Sequence, residues 1–371
     1  MLVNSSTAIL EQNENSTRSI NKIEEKKTSK NSFKKESFDV LERKTTLVKQ
    51  ANKQKQAMSV ITEFDGGIVP DQKIKTKDKE ICAEMKAFFV GEKAYDRFIV
   101  TKELLQHDEE TFKTYHQIIR KEDKPKASLL MVHGAGEHGS RNIEAAMKFA
   151  DLGYKVHLFD IRGHGYSSGP VLMMHLDDIF EGISKVLTRI EKNTPLYLFG
   201  HSMGGASVLN FINLNPQIKV SGVITSSAFV DFPPEFRVKP LSRVLLGNLP
   251  EVFDCMMLSN RVFPLKLTRS VEEIEMMVKD KKLVPAVTVR FIKTLLKLSH
   301  LMRNHKKKIG VPVFMMTGRQ DRLTLMKYGK KVYEELETED KTFYIFKNGI
   351  IISKTRVVTR YRERSSCSAC Q

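Results

Sequence analysis

Gly200-His201-Ser202-Met203-Gly204 places a serine between two glycines at Gly-x-Ser-x-Gly spacing. A serine hydroxyl becomes a useful nucleophile when it is held in the open beside donors that can stabilise an oxyanion. The apolar run 195–199 before it reads as a buried strand, and the residues after it as a helix. The glycines let the backbone bend sharply between the two. The serine oxygen then sits at the strand tip, in a strained turn at a helix N-terminus. The bland alternative is a glycine-rich turn with a serine that only caps the helix.

Three further loops belong with this serine. His133-Gly134-Ala135-Gly136-Glu137-His138-Gly139 follows an apolar run, and its small residues would let a backbone N–H approach a substrate carbonyl. Asp160-Ile161-Arg162-Gly163-His164-Gly165-Tyr166 follows the next apolar run and reads as a tight crossover that braces the first loop. Thr317-Gly318-Arg319-Gln320-Asp321 follows a late one. A lone Asp in a loop is usually a turn or cap residue. An acid at a strand end downstream of the serine, however, fits the chain order Ser, Asp, His.

Elements that position these loops are legible as a series of strands and helices. Alternation over 111–119 predicts a strand. Apolar runs at 128–132, 154–160, 196–200, 220–225 and 311–316 predict buried parallel strands, with helices near 141–152, 176–193, 203–214 and 325–336 and a last strand at 341–346. The fold class expected is α/β, a mostly parallel sheet with helices on both faces, and its functional loops should gather at the carboxyl ends of the strands. Residues 231–309 interrupt the series with helical apolar spacing and read as a basic helical cap. Residues 1–90, rich in Asn, Ser, Lys and Glu, read as a disordered tail with a basic stretch over 26–35. This divides the chain into a tail (1–90), a catalytic-type domain (91–349) and an atypical end (350–371).

The 371 residues carry a net charge of +17, so anionic partners deserve consideration. No basic stripe with interleaved aromatics appears, and nucleic acid is not expected. Cys82, Cys255, Cys367 and Cys370 are too few and scattered for a disulfide framework, and the single Cys-x-x-Cys at 367–370 lacks a second pair for zinc. No metal or organic cofactor is expected. No leader-like segment and no apolar run long enough to span a membrane is seen, so an intracellular setting, cytoplasmic or at a membrane surface, is the expectation.

Taken together, the His133–His138, Asp160–Gly169 and Gly200–Gly205 motifs resemble the monoglyceride lipase and lysophospholipase group of α/β-hydrolases, the serine aminopeptidase S33 or hydrolase-4 type. The resemblance covers about 95–349, with a weaker echo at 267–270 and 279–284. It implies an α/β-hydrolase fold with Ser202 as nucleophile and Asp321 as triad acid, and the backbone N–H groups of Ala135 and Met203 as the oxyanion hole. It implies a small lipid or ester substrate, such as a monoacylglycerol or lysophospholipid, and suits peripheral contact with an anionic membrane. His133, Gly134, Gly136, Gly163, His164, Gly165, Gly200, His201 and Gly204 fill the motif loops.

One element of that pattern is missing. The family's base follows the last strand as Gly-x-His or Gly-His-His, whereas this chain reads Asn348-Gly349-Ile350-Ile351-Ile352, and no histidine follows His305. Taken locally, Asn348-Gly349 between apolar runs is a hairpin signal with 350–352 as an extra edge strand. Three explanations stay open: an aberrant C-terminal stretch on an active hydrolase, an inactive relative that binds a lipid or protein, or a substitute histidine. His201, His133, His164, His300 and His305 are the candidates for the last. A peptidase shares every motif and is the enzymatic rival.

Overall fold

The computed structural model describes residues 97–347 and Gly349, apart from 108–111, 237–239, 260–266, 269, 285 and 305–307. The tail expected over 1–90, the hairpin and edge strand expected beyond Asn348, His305, and Cys82, Cys367 and Cys370 lie outside the described residues.

Eight strands form one sheet in the order β1-β2-β4-β3-β5-β6-β9-β10. β1 (Ile99–Gln106) and β2 (Lys113–Arg120) pair antiparallel, and β2 pairs antiparallel with β4 (Tyr154–Phe159). From β4 onward every pairing is parallel, through β3 (Ala127–Val132), β5 (Leu196–His201), β6 (Gly222–Ser226), β9 (Val313–Gly318) and β10 (Lys341–Phe346). β1 has no counterpart among the strands expected from the sequence. Its residues are largely half-exposed at the sheet edge, so apolar periodicity is weak there.

The central strands are mostly apolar because both faces are covered. In β3, Leu130 and Val132 join one hydrophobic cluster while Leu129 and Met131 join the other, and β9 splits Val313 and Met315 from Phe314 and Met316 in the same way. One face packs on α1 (Ile143–Asp151), whose Ile143, Ala146 and Phe149 are buried. The other packs on α2 (Leu176–Leu187) and α3 (Met203–Leu214).

Between β6 and β9 the chain builds α4 (Pro240–Gly247), a short two-stranded sheet of β7 (Met257–Ser259) and β8 (Ala286–Thr288), α5 (Val271–Lys279) and α6 (Val289–Asn304). The small sheet escapes a reading based on helical spacing because each strand has only three residues. α6 buries Phe291, Leu295, Leu298 and Met302, a spacing of four, three and four that fits one helix face against the domain. α7 (Met326–Glu335) connects β9 to β10.

Candidate active site

Ser202 lies at the junction of β5 and α3 with φ 50° and ψ −114°, a left-handed conformation that costs a non-glycine residue roughly 1–3 kcal/mol. It stands at the N-cap position of α3, yet its side chain makes no capping hydrogen bond. A serine kept only to cap would make that bond in relaxed extended backbone, so the capping alternative does not describe this residue. The turn is locked by backbone contacts. Ser202 N–H donates to Ser226 O at 2.9 Å, and Ser202 O accepts from Phe229 N–H at 2.9 Å. Gly200 and Gly204 are obligatory for steric reasons. A Cβ on Gly200 would lie 2.3 Å from Gly204 O, and one on Gly204 would lie 2.2 Å from Val132 O.

The loop after β3 lies against this turn. A Cβ on Gly134 would sit 3.4 Å from Ser202 Cβ and 3.2 Å from the His201 ring. Ala135 is exposed and Ser202 partly so, which opens the junction to solvent. The Ala135 and Met203 N–H groups have no acceptor among the described residues.

Three side chains clamp the loop after β3 to the loop after β4. His133 Nε2 accepts Ile161 N–H at 3.0 Å, and His164 Nε2 accepts Gly136 N–H at 3.3 Å. Asp160 accepts Gly139 N–H at 2.6 Å and Tyr166 N–H at 2.7 Å. Gly163 closes the crossover by donating to Ser168 O at 3.1 Å, and Gly165 packs directly on the Asp160 carboxylate. A ring nitrogen that accepts a backbone N–H has its lone pair occupied, so both histidines are held neutral. Burial pushes His133 far below its ordinary value, with His164 beside it adding to the effect. Burial likewise lowers His164 to about 4.

A residue pair that sequence reasoning did not single out ties the cap segment to the same loop. His138 Nε2 meets Asp280 Oδ2 at 3.0 Å, Arg141 reaches that oxygen at 3.5 Å, and Val284 N–H donates to Gly136 O at 2.9 Å. Burial raises the Asp280 carboxyl, but the hydrogen bond and charge of His138, with Arg141, more than offset this and hold it below the usual range. The resemblance at 279–284 was its only sequence signal, because His138 and Asp280 are 142 positions apart.

Asp321 follows β9 by three residues, and β6 separates β9 from β5. Its Oδ1 accepts the N–H groups of Leu323 and Thr324, both at 2.8 Å, and its Oδ2 accepts the Thr324 hydroxyl. Burial pushes the carboxyl up, opposed by these bonds and by Ser227, the residue just past β6. Ser226, whose carbonyl takes the Ser202 N–H, and Ser227, whose N–H donates to Met316 O at 2.8 Å, lie at the end of β6 between the two strands that carry Ser202 and Asp321.

After β10 the chain turns back over this corner. Gln320 N–H donates to Gly349 O at 2.9 Å, and a Cβ on Gly349 would lie 3.1 Å from Gly318 Cα. Among the described residues no histidine bonds Asp321 or the Ser202 hydroxyl. His201 ends β5 with its ring against Gly134, and His300 sits on α6 bonded to Asn304 at 2.8 Å. Among the described residues no cluster of three His, Cys, Asp or Glu side chains could hold a metal ion, and no helix is long and apolar enough to cross a membrane.

Known proteins share this architecture. A family model described as "Serine aminopeptidase, S33" matches residues 123–350. A "Putative monoglyceride lipase" of Schizosaccharomyces pombe is 26% identical over 253 residues, covering 65% of this chain and 67% of its own length. An uncharacterized abhydrolase domain-containing protein of Dictyostelium discoideum is 27% identical over 232 residues, 61% of this chain but only 24% of that much longer protein. The crystal structure of Paleococcus ferrophilus monoacylglycerol lipase superposes with a TM-score of 0.60 at 22% identity, covering 68% of this chain and 97% of that one, a likeness of fold. With a strained serine turn at the carboxyl edge of a mostly parallel sheet and a family model matching well over half of its length, the chain belongs to the serine aminopeptidase S33 family of α/β-hydrolases.

Proposed function

We propose that the site is a serine-nucleophile centre for carboxylic esters of the monoacylglycerol or lysophospholipid type, and that this chain turns over slowly because no described histidine stands beside the serine as its base. Ser202 attacks the ester carbonyl, the N–H groups of Ala135 and Met203 receive the oxyanion, and Asp321 is the acid that would orient a histidine. The observation that carries the reading is the backbone of Ser202, bent to φ 50° with its hydroxyl left out of the helix cap. The lipase names among the relatives support an acylglycerol ester as the substrate class. The exposed apolar residues of the cap and the chain's positive charge suit a substrate drawn from an anionic membrane surface.

The second reading, a ligand-binding relative without turnover, is favoured by one specific observation: the described histidines leave Asp321 and Ser202 without an imidazole. Removing the histidine of a serine triad costs on the order of 10⁶ in kcat. Turnover of a short acyl ester by the full chain and by Ser202→Ala is the test. The expected outcome is a small difference between them, enlarged by added imidazole only in the parent. A large Ser202-dependent rate without imidazole refutes slow turnover and points to a substitute base. No Ser202-dependent rate under either condition favours the binding protein. A rate on aminoacyl amides that exceeds the ester rate favours the peptidase.

A further inference from the structure

Along α6, Arg290, Lys293, Lys297, His300 and Arg303 recur every three or four residues, so they share the face opposite Phe291, Leu295 and Leu298. Across from them stand Arg243 and Asn248, in and just after α4, and between these elements lies a cleft of about 510 Å³. Five Lys or Arg residues line it against one acidic residue, Glu251. None of the lining residues belongs to the loops around Ser202.

Gathering cations into one cleft is costly unless something holds them there. Two buried carboxylates do so. Asp254 pairs with Arg290 and with Lys293, the latter at 2.8 Å, and Lys293 also donates to Leu249 O at 2.6 Å. Asp231 pairs with Arg243 at 2.9 Å and more loosely with Arg303 at 3.7 Å. These anchors fix the positions of the guanidinium groups before any ligand arrives. Lys297, exposed at the rim, has no ion-pair partner among the described residues. Glu251 also pairs with Arg290 at 3.0 Å, but at 85% exposed its charge is screened by solvent.

We propose that this cleft binds a phosphate-bearing anion. A phosphate ester presents up to two charges and several acceptor oxygens, which suits a Lys and forked Arg side chains arriving from two elements. The partly enclosed walls concentrate the positive potential on the cleft. The phosphate has two possible sources. One is a lipid headgroup, since Val244, Leu245 and Val252 beside the cleft are 60%, 61% and 76% exposed and would meet acyl chains. The other is a soluble phosphate ester.

The test is binding by the full chain at constant ionic strength, by calorimetry with inorganic phosphate and by co-sedimentation with phosphatidylcholine vesicles with or without phosphatidic acid. Variants Lys297→Glu and, as a charge-matched control, Lys192→Glu in the exposed loop after α2 complete the set. Binding of either probe, weakened about tenfold or more by Lys297→Glu and unchanged by Lys192→Glu, is the expected result. Phosphate binding alone assigns the soluble source, and binding only to phosphatidic acid vesicles assigns the headgroup. Binding of neither probe, or equal weakening by the two variants, overturns the proposal, as does binding that Lys297→Glu leaves unchanged.

Discussion

The two halves of the sheet's carboxyl edge are built by different means. On the β3-β4-β5 side, Ser202, Gly134, His133, His164 and Asp160 are fixed by backbone contacts and buried hydrogen bonds, each depending on the next. On the β9-β10 side, Asp321 is held by its own turn, and the following corner is a backbone crossing at Gly349 beside a half-exposed edge strand. A change in the first half strains the core. In the second half the described contacts are the turn of Asp321 and the Gln320–Gly349 backbone bond. The Ser202 turn is built in full in a chain whose given sequence carries no histidine after Gly349.

The largest effect tests whether only a side chain is lacking on the second side. Ile351, outside the described residues, takes the last position of Gly-x-His, and Ile351→His is expected to raise Ser202-dependent esterase kcat. The ceiling is about 10⁶, or about 8 kcal/mol of barrier. The same substitution on a Ser202→Ala background should gain nothing. A null result in both would show that the second half lacks more than its base.

A steric contrast comes next. Gly204→Ala drives a methyl into the Val132 carbonyl on the first side and should cost more than about 3 kcal/mol in urea denaturation, or prevent folding. Gly349→Ala meets Phe346 Cβ at 3.0 Å and Gly318 Cα at 3.1 Å, a milder crowding, and should cost about 1 kcal/mol. Similar costs at the two positions would erase the distinction between the halves.

Acid should expose the same asymmetry more gently. The folded-state value of His164, about 4, lies below the ordinary 6.5, so the fold keeps the neutral ring while the unfolded chain takes up a proton. Its stabilising contribution is complete above pH 6.5 and is lost as pH falls toward 4, about 3 kcal/mol over that window. His133 and His157, held low by burial, act in the same direction. Urea midpoints between pH 7.5 and 4.5 should fall, and His164→Gln, which keeps an acceptor for Gly136 N–H, should flatten the curve. A profile unchanged by that substitution would remove His164 from the account.

Legibility in the sequence followed burial. β3, β4, β5 and β9 were readable because strands covered on both faces are mostly apolar, and β10 ran over the expected 341–346. The predicted helix over 176–193 stops at Leu187, where the chain leaves the sheet before Leu196. β1 was missed because an edge strand in antiparallel pairing needs little apolar periodicity. The site loops were readable as motifs, whereas the clamps between them were not. Nothing in the spacing of His164 and Gly136, or of His138 and Asp280, says that they touch.

By itself the sequence determined the parallel sheet, the Ser202 turn and the lack of a histidine after the last strand. These depend on local apolar runs, on glycines whose missing side chains permit a turn, and on residue identity alone. Only the tertiary structure decided that the Ser202 side chain does not cap its helix and that His133 and His164 give their lone pairs to backbone N–H groups. It also decided that the α6 cations converge with Arg243 on one cleft. Each of these outcomes depends on which distant groups meet, and that is set by burial of both sheet faces and by hydrogen bonds closed across the fold.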